Sequence, residues 1–426
     1  MRILIVGAGG AGDAIAKIVA TRTFAEAVVL VDPDAARAER TLGWIADRHG
    51  ADIAGRYTAA AVDPADPDAV TRVARANRVT HVVNAVEPRL VPSVFAGALA
   101  AGADYLDLTM SPSEPHPTEP HRLVGVKPGD DQFAQAGDWE ASGRLALVGM
   151  AAQPGLSDVF ARYAADHLFS QVDELGVRDG ANLTVRDERG EPVPVPFLRL
   201  RSALDECLTP PVVWQREGGW SAAPPLGETE VFHFPAGIGA VECLPVEQGE
   251  VVLMPRRLDA QRVTVKRGLG RDLVGALRTL DALGLASQVP VRLSGAAGPV
   301  EVAPRAVVAA ALPDPATIWP RVEGRTCAGL QVTGTGTDGA PRSTLLFHIA
   351  DNAETMREFD SPCTVWQSAL PAVVALELLA TGAWTGVGVL GPEAFDALPF
   401  LELMARPTAL GGYGQSWGTE DRPTVG

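Results

Sequence analysis

The first 32 residues constrain the chain most. An apolar run at 3–6 leads into Gly7-Ala8-Gly9-Gly10-Ala11-Gly12. A helix-like segment follows at 14–20, then a second apolar run at 28–31 that ends on Asp32. The loop fits G-x-G-x-x-G. Asp32 lies 20 residues beyond Gly12 (32 − 12), the interval expected for the acid that holds an adenosine ribose. Gly7 permits the tight turn out of the strand, Gly9 lets backbone approach a pyrophosphate, and Gly12 lets helix and strand pack closely. The helix that opens at Gly10-Ala11 offers unpaired N–H groups and a positive dipole end to the phosphates. Asp32 accepts a ribose 2′-hydroxyl and repels a 2′-phosphate, so NAD is the expected cofactor. Arg37 and Arg40 follow closely and leave NADP open.

The pattern continues as alternating short strands and helices. Residues 34–49 read as a helix capped by Asp34, 57–62 as a strand ending at Asp63, and 66–76 as a helix. A fourth strand at 80–85 ends in Asn84-Ala85, and a helix at 92–101 is stopped by Gly102. A fifth strand at 104–108 carries Asp107, a helix covers 132–141, and a sixth strand at 145–150 follows. Such alternation makes a doubly wound parallel sheet of the α/β class. Ligands in these sheets sit beyond the C-terminal strand ends, which brings Asp63, Asn84, Ala85 and Asp107 toward a cofactor by topology alone. After the sixth strand, Gln153-Pro154-Gly155 opens a second strand–turn–helix junction, whose backbone N–H groups can face the nicotinamide end.

Residues 111–130 are rich in Pro, Ser and Glu and lack periodicity; a loop this long reads as an active-site lid. His116 and His121 sit in it, but prolines between them prevent a helical metal pair, and no metal site is expected. From about residue 170 the texture becomes that of a mixed α+β domain with a largely antiparallel sheet. Strands are expected at 174–178, 193–200, 231–234, 251–253, 262–266, 327–335 and 343–348. Helices are expected at 272–285 and 304–311. A long helix at 364–381 and a short one at 400–404 return to the first domain.

The net charge of −16 argues against nucleic acid or anionic lipid as partners. No apolar run is read as long enough to cross a membrane, because Glu377 interrupts the longest candidate. The N-terminus enters a strand at once, without a signal peptide, and the expected location is cytoplasmic. Cys207, Cys243, Cys327 and Cys363 lie far apart and suit neither a disulfide framework nor a zinc site.

The GAGGAG loop, VVNAVEP, DYLDL and above all LVGMAAQPGLSDVFARYAADHL resemble the saccharopine dehydrogenase family. So do GLGRDLVGALRTLDALGL and TVWQSALPAVVALELLATGAW, and the resemblance runs through nearly the whole chain. It implies a Rossmann domain (1–155), an inserted α+β substrate and dimerisation domain (156–360), and C-terminal helices (361–426) that pack back on the first. It also implies NAD(P)-linked oxidation or reduction at a C–N bond of a small amino-acid substrate, and a homodimer. Saccharopine reductases, lysine 6-dehydrogenases and carboxynorspermidine dehydrogenases are the branches. Gly7, Gly9, Gly10, Gly12, Asp32, Asp63 and Asn84–Ala85 match its cofactor-contacting positions. Gln153 stands where many members carry an acid or a small residue, and Phe232-His233-Phe234 is atypical, so the substrate stays open.

Hydride transfer to an imine needs few protein groups beyond those that orient and desolvate it. Asp107, His233 and Glu242 are the candidates to manage the proton. Arg89, Arg199 and Arg201 are candidates for a substrate carboxylate. Thr364, Trp366 and Gln367 begin the returning helix and can face a cleft, with helix N–H groups aimed at an anion. The competing reading, from another class, is a dinucleotide-sensing regulator without turnover.

Overall fold

The computed structural model describes residues 1–186, 189, 191–194, 206–295, 298–311 and 319–423. Seven strands form one sheet in the order Gly388–Leu390, Leu145–Leu147, Asp104–Asp107, His81–Asn84, Arg2–Val6, Ala27–Asp32, Tyr57–Ala61. Every neighbouring pair is parallel. Helices cover both faces, which is why the strands are near-continuous apolar runs; Ile3, Leu4, Ile5 and Val6 are all at most 1% exposed. The helices begin and end where side-chain chemistry dictates. The carboxylates of Asp34 and Asp66 cap Ala35–His49 and Pro67–Ala76, and Gly102 ends Val91–Ala101 in a left-handed conformation. Arg2–Val6 lies between the second and fourth strands, so strand order reverses there and a crevice opens at Val6 and Asn84.

The second sheet has nine strands and is mixed. Its spine is Ala260–Gly268, Phe169–Ala181, Arg325–Gly336, Pro341–Asp351 and Trp417–Asp421. Only the pair Ala260–Gly268 with Phe169–Ala181 is parallel, and the rest of this spine is antiparallel. The hairpin of Glu230–Phe234 and Gly239–Pro245 joins at Ala260–Gly268. The strand expected at 193–200 falls largely outside the described residues.

Three sequence expectations change. The run at 251–253, expected as a strand, is part of the helix Glu250–Arg257, whose first five residues are all buried. A short apolar run buried on every side carries no periodicity to tell the two states apart. The C-terminal segment also holds strands as well as helices: Gly388–Leu390 edges the parallel sheet and Trp417–Asp421 edges the mixed one. Finally, the helix Cys363–Thr381 is long and apolar enough to cross a membrane, with mean hydropathy 1.5, despite Glu377. It is a core helix instead, with 72% of that window buried. Its one acid is neutralised by Arg22, which donates to both Glu377 oxygens at 2.8 and 2.7 Å.

Candidate active site

The dinucleotide loop is built as its glycines require. Gly7 has φ +100° and donates to Val31 O at 2.8 Å. A Cβ on Gly12 would stand 1.8 Å from Gly7 O, so helix and strand meet closer than any side chain allows. Gly10 packs against Val365, while a Cβ on Gly9 would meet nothing within 4 Å. Gly9 is thus spared a side chain by something other than the protein, and open space at the N-terminus of Gly10–Ala20 fits a pyrophosphate. No side chain caps that helix, so its first-turn N–H groups remain for a ligand. Asp32 is 7% exposed and accepts from Ala8 N–H and Asp34 N–H, both at 3.0 Å. Its carboxylate therefore also holds the loop it was expected to complement. Ala85 donates to Val6 O at 2.9 Å and approaches Gly7. Ala11 lies in the first turn of the helix, and Asp63 is exposed beyond the third strand, accepting from Ala65 N–H.

Two cavities lie beyond the C-terminal strand ends. The first, about 610 Å³, gathers Gln153, Glu242, Thr364 and Gln367 from three distant stretches of chain. Asp179 and Arg267 also line it, joined at 3.1 Å, and the N-terminal turn of Arg271–Ala282 opens on it without a side-chain cap. The start of Cys363–Thr381 reaches the cavity through Thr364, its Cys363 N–H being taken by the Asn352 side chain at 3.0 Å, and Arg271 adds a second arginine to the lining. Glu242 forms no hydrogen bond or ion pair through its carboxylate among the described residues. Gln367 is committed: its oxygen accepts from Thr326 Oγ1 at 2.8 Å and its nitrogen donates to His348 O at 3.0 Å.

The second cavity, about 730 Å³, sits over the ends of the fourth and fifth strands. Glu87 and Arg89 come from one strand end, Thr109 and Met110 from the other, and Pro154 from the turn after the sixth strand. Ser111, Pro112, Ser113 and Pro128 of the 111–130 loop form its cover. Gln153 therefore faces one cavity and Pro154 the other. The two cavities are neighbours: Arg267 lines the first and pairs with Glu206, which lines the second.

Four expected residues fall elsewhere. Asp107 lines neither cavity. It is fully buried, accepting from Gly149 N–H and Gln132 at 2.7 Å and from Tyr105 at 2.9 Å. Burial pushes its carboxyl up to about 7 against the pull of those donors. Asn84 belongs to the same network through Tyr105 at 2.8 Å. Asp107 thus positions the strand ends rather than touching a reactant. His233 is exposed and lines neither cavity, because the alternation of Glu230–Phe234 turns Phe234 inward and His233 out. Gly155 serves the turn: with φ +127°, its Cβ would stand 2.1 Å from Ala151 O. Arg199 and Arg201 lie outside the described residues. No sequence motif surrounds Glu247, Asp179 or Arg267; only the 111–130 loop, through Ser113, points toward Glu247.

Fold and site together define a dinucleotide-linked oxidoreductase. Residues 3–147 match the saccharopine dehydrogenase NADP binding domain. The whole chain superposes on saccharopine dehydrogenase (L-Glu forming) from Saccharomyces cerevisiae with TM-score 0.65 and 11% identity, covering 99% of this chain and 100% of that one. Carboxynorspermidine synthase of Vibrio alginolyticus is 27% identical over 95% of this chain and 94% of its own length. Carboxyaminopropylagmatine dehydrogenase of Synechocystis is 23% identical over 98% and 96%. Residues 3–147 are thus a saccharopine dehydrogenase NADP binding domain, the chain shares the saccharopine dehydrogenase fold, and it is an NAD(P)-dependent oxidoreductase.

Proposed function

We propose that the protein reduces an imine formed between a short amino-acid aldehyde and a primary amine, giving a carboxyl-bearing polyamine. The cavity that collects Gln153, Glu242, Thr364 and Gln367 beside the turn after the sixth strand carries this reading. The relatives' names support it: each describes a carboxyl-bearing aminopropyl chain joined to an amine. They favour a polyamine product over lysine or saccharopine. Gly7, Gly9, Gly10, Ala11, Gly12, Asp32 and Ala85 would hold the cofactor.

The overall balance is aldehyde plus amine giving imine and water, then imine plus reduced cofactor and a proton giving a secondary amine and oxidised cofactor. The bound dinucleotide supplies the hydride. Glu242, unpartnered in the cavity, holds the proton at the imine nitrogen, since a protonated imine is the better acceptor. The N-terminal turn of Arg271–Ala282, with Arg271 itself, receives the amino-acid carboxylate. The division at 155 and 360 and a homodimer belong to the same reading.

The test is to incubate the protein with NADH or NADPH, an amino-acid ω-aldehyde, and separately diamines, agmatine, lysine and glutamate, then weigh the product. A mass equal to aldehyde plus diamine, less water, plus two hydrogens is expected. Product formed with glutamate or lysine alone would replace this reading with a saccharopine-type reaction. Cofactor binding without reduction of any pair would replace it with a sensor.

A further inference from the structure

We infer that the second cavity is the amine pocket, and that Glu247 there receives the free ammonium end of a short α,ω-diamine. The inference rests on the polyamine reading and adds the residue that would select a diamine over a monoamine.

Three acids line this cavity, and two of them already have cations. Glu87 pairs with Arg89 at 2.6 Å, and Glu206 pairs with Arg267. Glu247 has no cationic partner among the described residues; its carboxylate only accepts from the Ser113 hydroxyl of the covering loop. Burial accordingly pushes its carboxyl up to about 7. A part-buried acid facing a cavity, with a hydroxyl to orient it and no protein cation, is a site shaped for a ligand's positive charge. The surroundings suit the rest of a diamine. Met110 and Pro154 supply apolar wall for methylenes, and Gln248 and Gln288 supply amide oxygens for the remaining ammonium hydrogens. Two residues on, Gly249 packs closely against the same apolar wall: a Cβ there would stand 2.6 Å from Met110 Sδ and 3.2 Å from Pro154.

The experiment is calorimetric titration of the full chain, saturated with NADP⁺ so that nothing turns over, with 1,3-diaminopropane and with propylamine. Wild type is expected to bind the diamine at least tenfold more tightly. Glu247→Gln should bring the two amines within twofold of each other, and Ser113→Ala should weaken the diamine several-fold. Glu87→Gln, whose acid is already paired, should keep the tenfold preference. Thermal melts check that each variant is folded; if Glu247→Gln is not, Ser113→Ala and Glu247→Asp carry the test. Equal binding of both amines by wild type overturns the inference, as does a diamine preference that survives in the folded Glu247 variants. The parent reading fails separately: a diamine preference that depends on Glu247, together with no reduced product from any aldehyde and amine pair, would leave the pocket standing and remove the reaction.

Discussion

At the scale of single residues, the glycines of the first loop separate folding from binding. Gly12→Ala puts a methyl 1.8 Å from Gly7 O, so thermal melts should show marked destabilisation and cofactor titration should show lost affinity. Gly9→Ala meets no protein atom within 4 Å. Its melting temperature should stay within about 1 °C of wild type, a shift corresponding to about 1 kcal/mol or less. Affinity for NADH and NADPH should nevertheless fall at least tenfold in fluorescence titration, because the methyl occupies the space a pyrophosphate needs. Unchanged affinity would show that the phosphates rest elsewhere. Asp107 yields a second contrast. An amide at this position would turn donor hydrogens toward Gln132, Tyr105 or Gly149, so Asp107→Asn should cost about 2 kcal/mol in denaturant melts. As a positioning residue it should lower kcat while leaving the shape of the pH–rate profile intact. The glycines and Asp32 were legible because spacing encodes their task. His233 and Asp107 fall outside both cavities, because residue type is visible in sequence, whereas the direction of a side chain on a twisted strand is not.

At the scale of elements, the returning helix Cys363–Thr381 ties the end of the chain to its beginning. Arg22 is the tie: besides Glu377 it donates to the carbonyls of Gly411 and Gly412 at 2.7 and 2.9 Å, and its guanidinium lies 4.2 Å from the Tyr413 ring centre. Tyr413 in turn donates to Glu377 at 2.7 Å. Removing the acid leaves a nearly buried guanidinium short of its partner, so Glu377→Gln should lose about 2 kcal/mol in urea unfolding. Substituting Leu at both Arg22 and Glu377 should recover part of that loss, since a buried pair replaced by apolar groups leaves no orphaned charge. Sequence periodicity identified this helix, six of the seven strands of the first sheet and most strands of the second. It failed at Glu250–Arg257, where four apolar residues in a row fit a buried strand equally well, and Pro255 near the end looked like a terminator. The edge strands Gly388–Leu390 and Trp417–Asp421 were illegible for another reason. Their pairing is decided by neighbours more than two hundred and some seventy residues away, respectively, and not by local composition.

At the scale of the whole molecule, the two sheets and the C-terminal segment meet around three buried carboxyls. Asp158 lies in the first turn of the helix after the sixth strand, Glu250 begins the helix Glu250–Arg257, and Glu393 sits in the turn after Gly388–Leu390. All three are at most 1% exposed. The Ser157 hydroxyl lies 3.1 Å from Glu250 Oε1, and Gly155 N–H donates to Asp158 at 2.8 Å. One oxygen of each acid, Asp158 Oδ1, Glu250 Oε2 and Glu393 Oε2, has no hydrogen-bond partner among the described residues. Burial raises all three; the like charge of Glu393 raises Asp158 further and that of Asp158 raises Glu250, while Arg256 and Arg257 only partly offset the burial of Glu393. An acid whose folded pKa exceeds its unfolded one binds more protons when folded. Stability therefore declines as pH rises from the ordinary 4.5 of a glutamate toward the value of about 8 that Glu250 and Glu393 reach. Below that window the neutral acids impose no charge cost; above it the full cost is present. Glu393→Gln keeps the shape and removes the charge, so its melting temperature should rise above wild type at pH 8.5 and match it at pH 5. The gap between the two melting curves should widen steadily across the interval, and Glu250→Gln should behave alike. A gap independent of pH would mean that these carboxyls stay ionised in the fold, and that the junction between the sheets holds charge it has no visible means to balance.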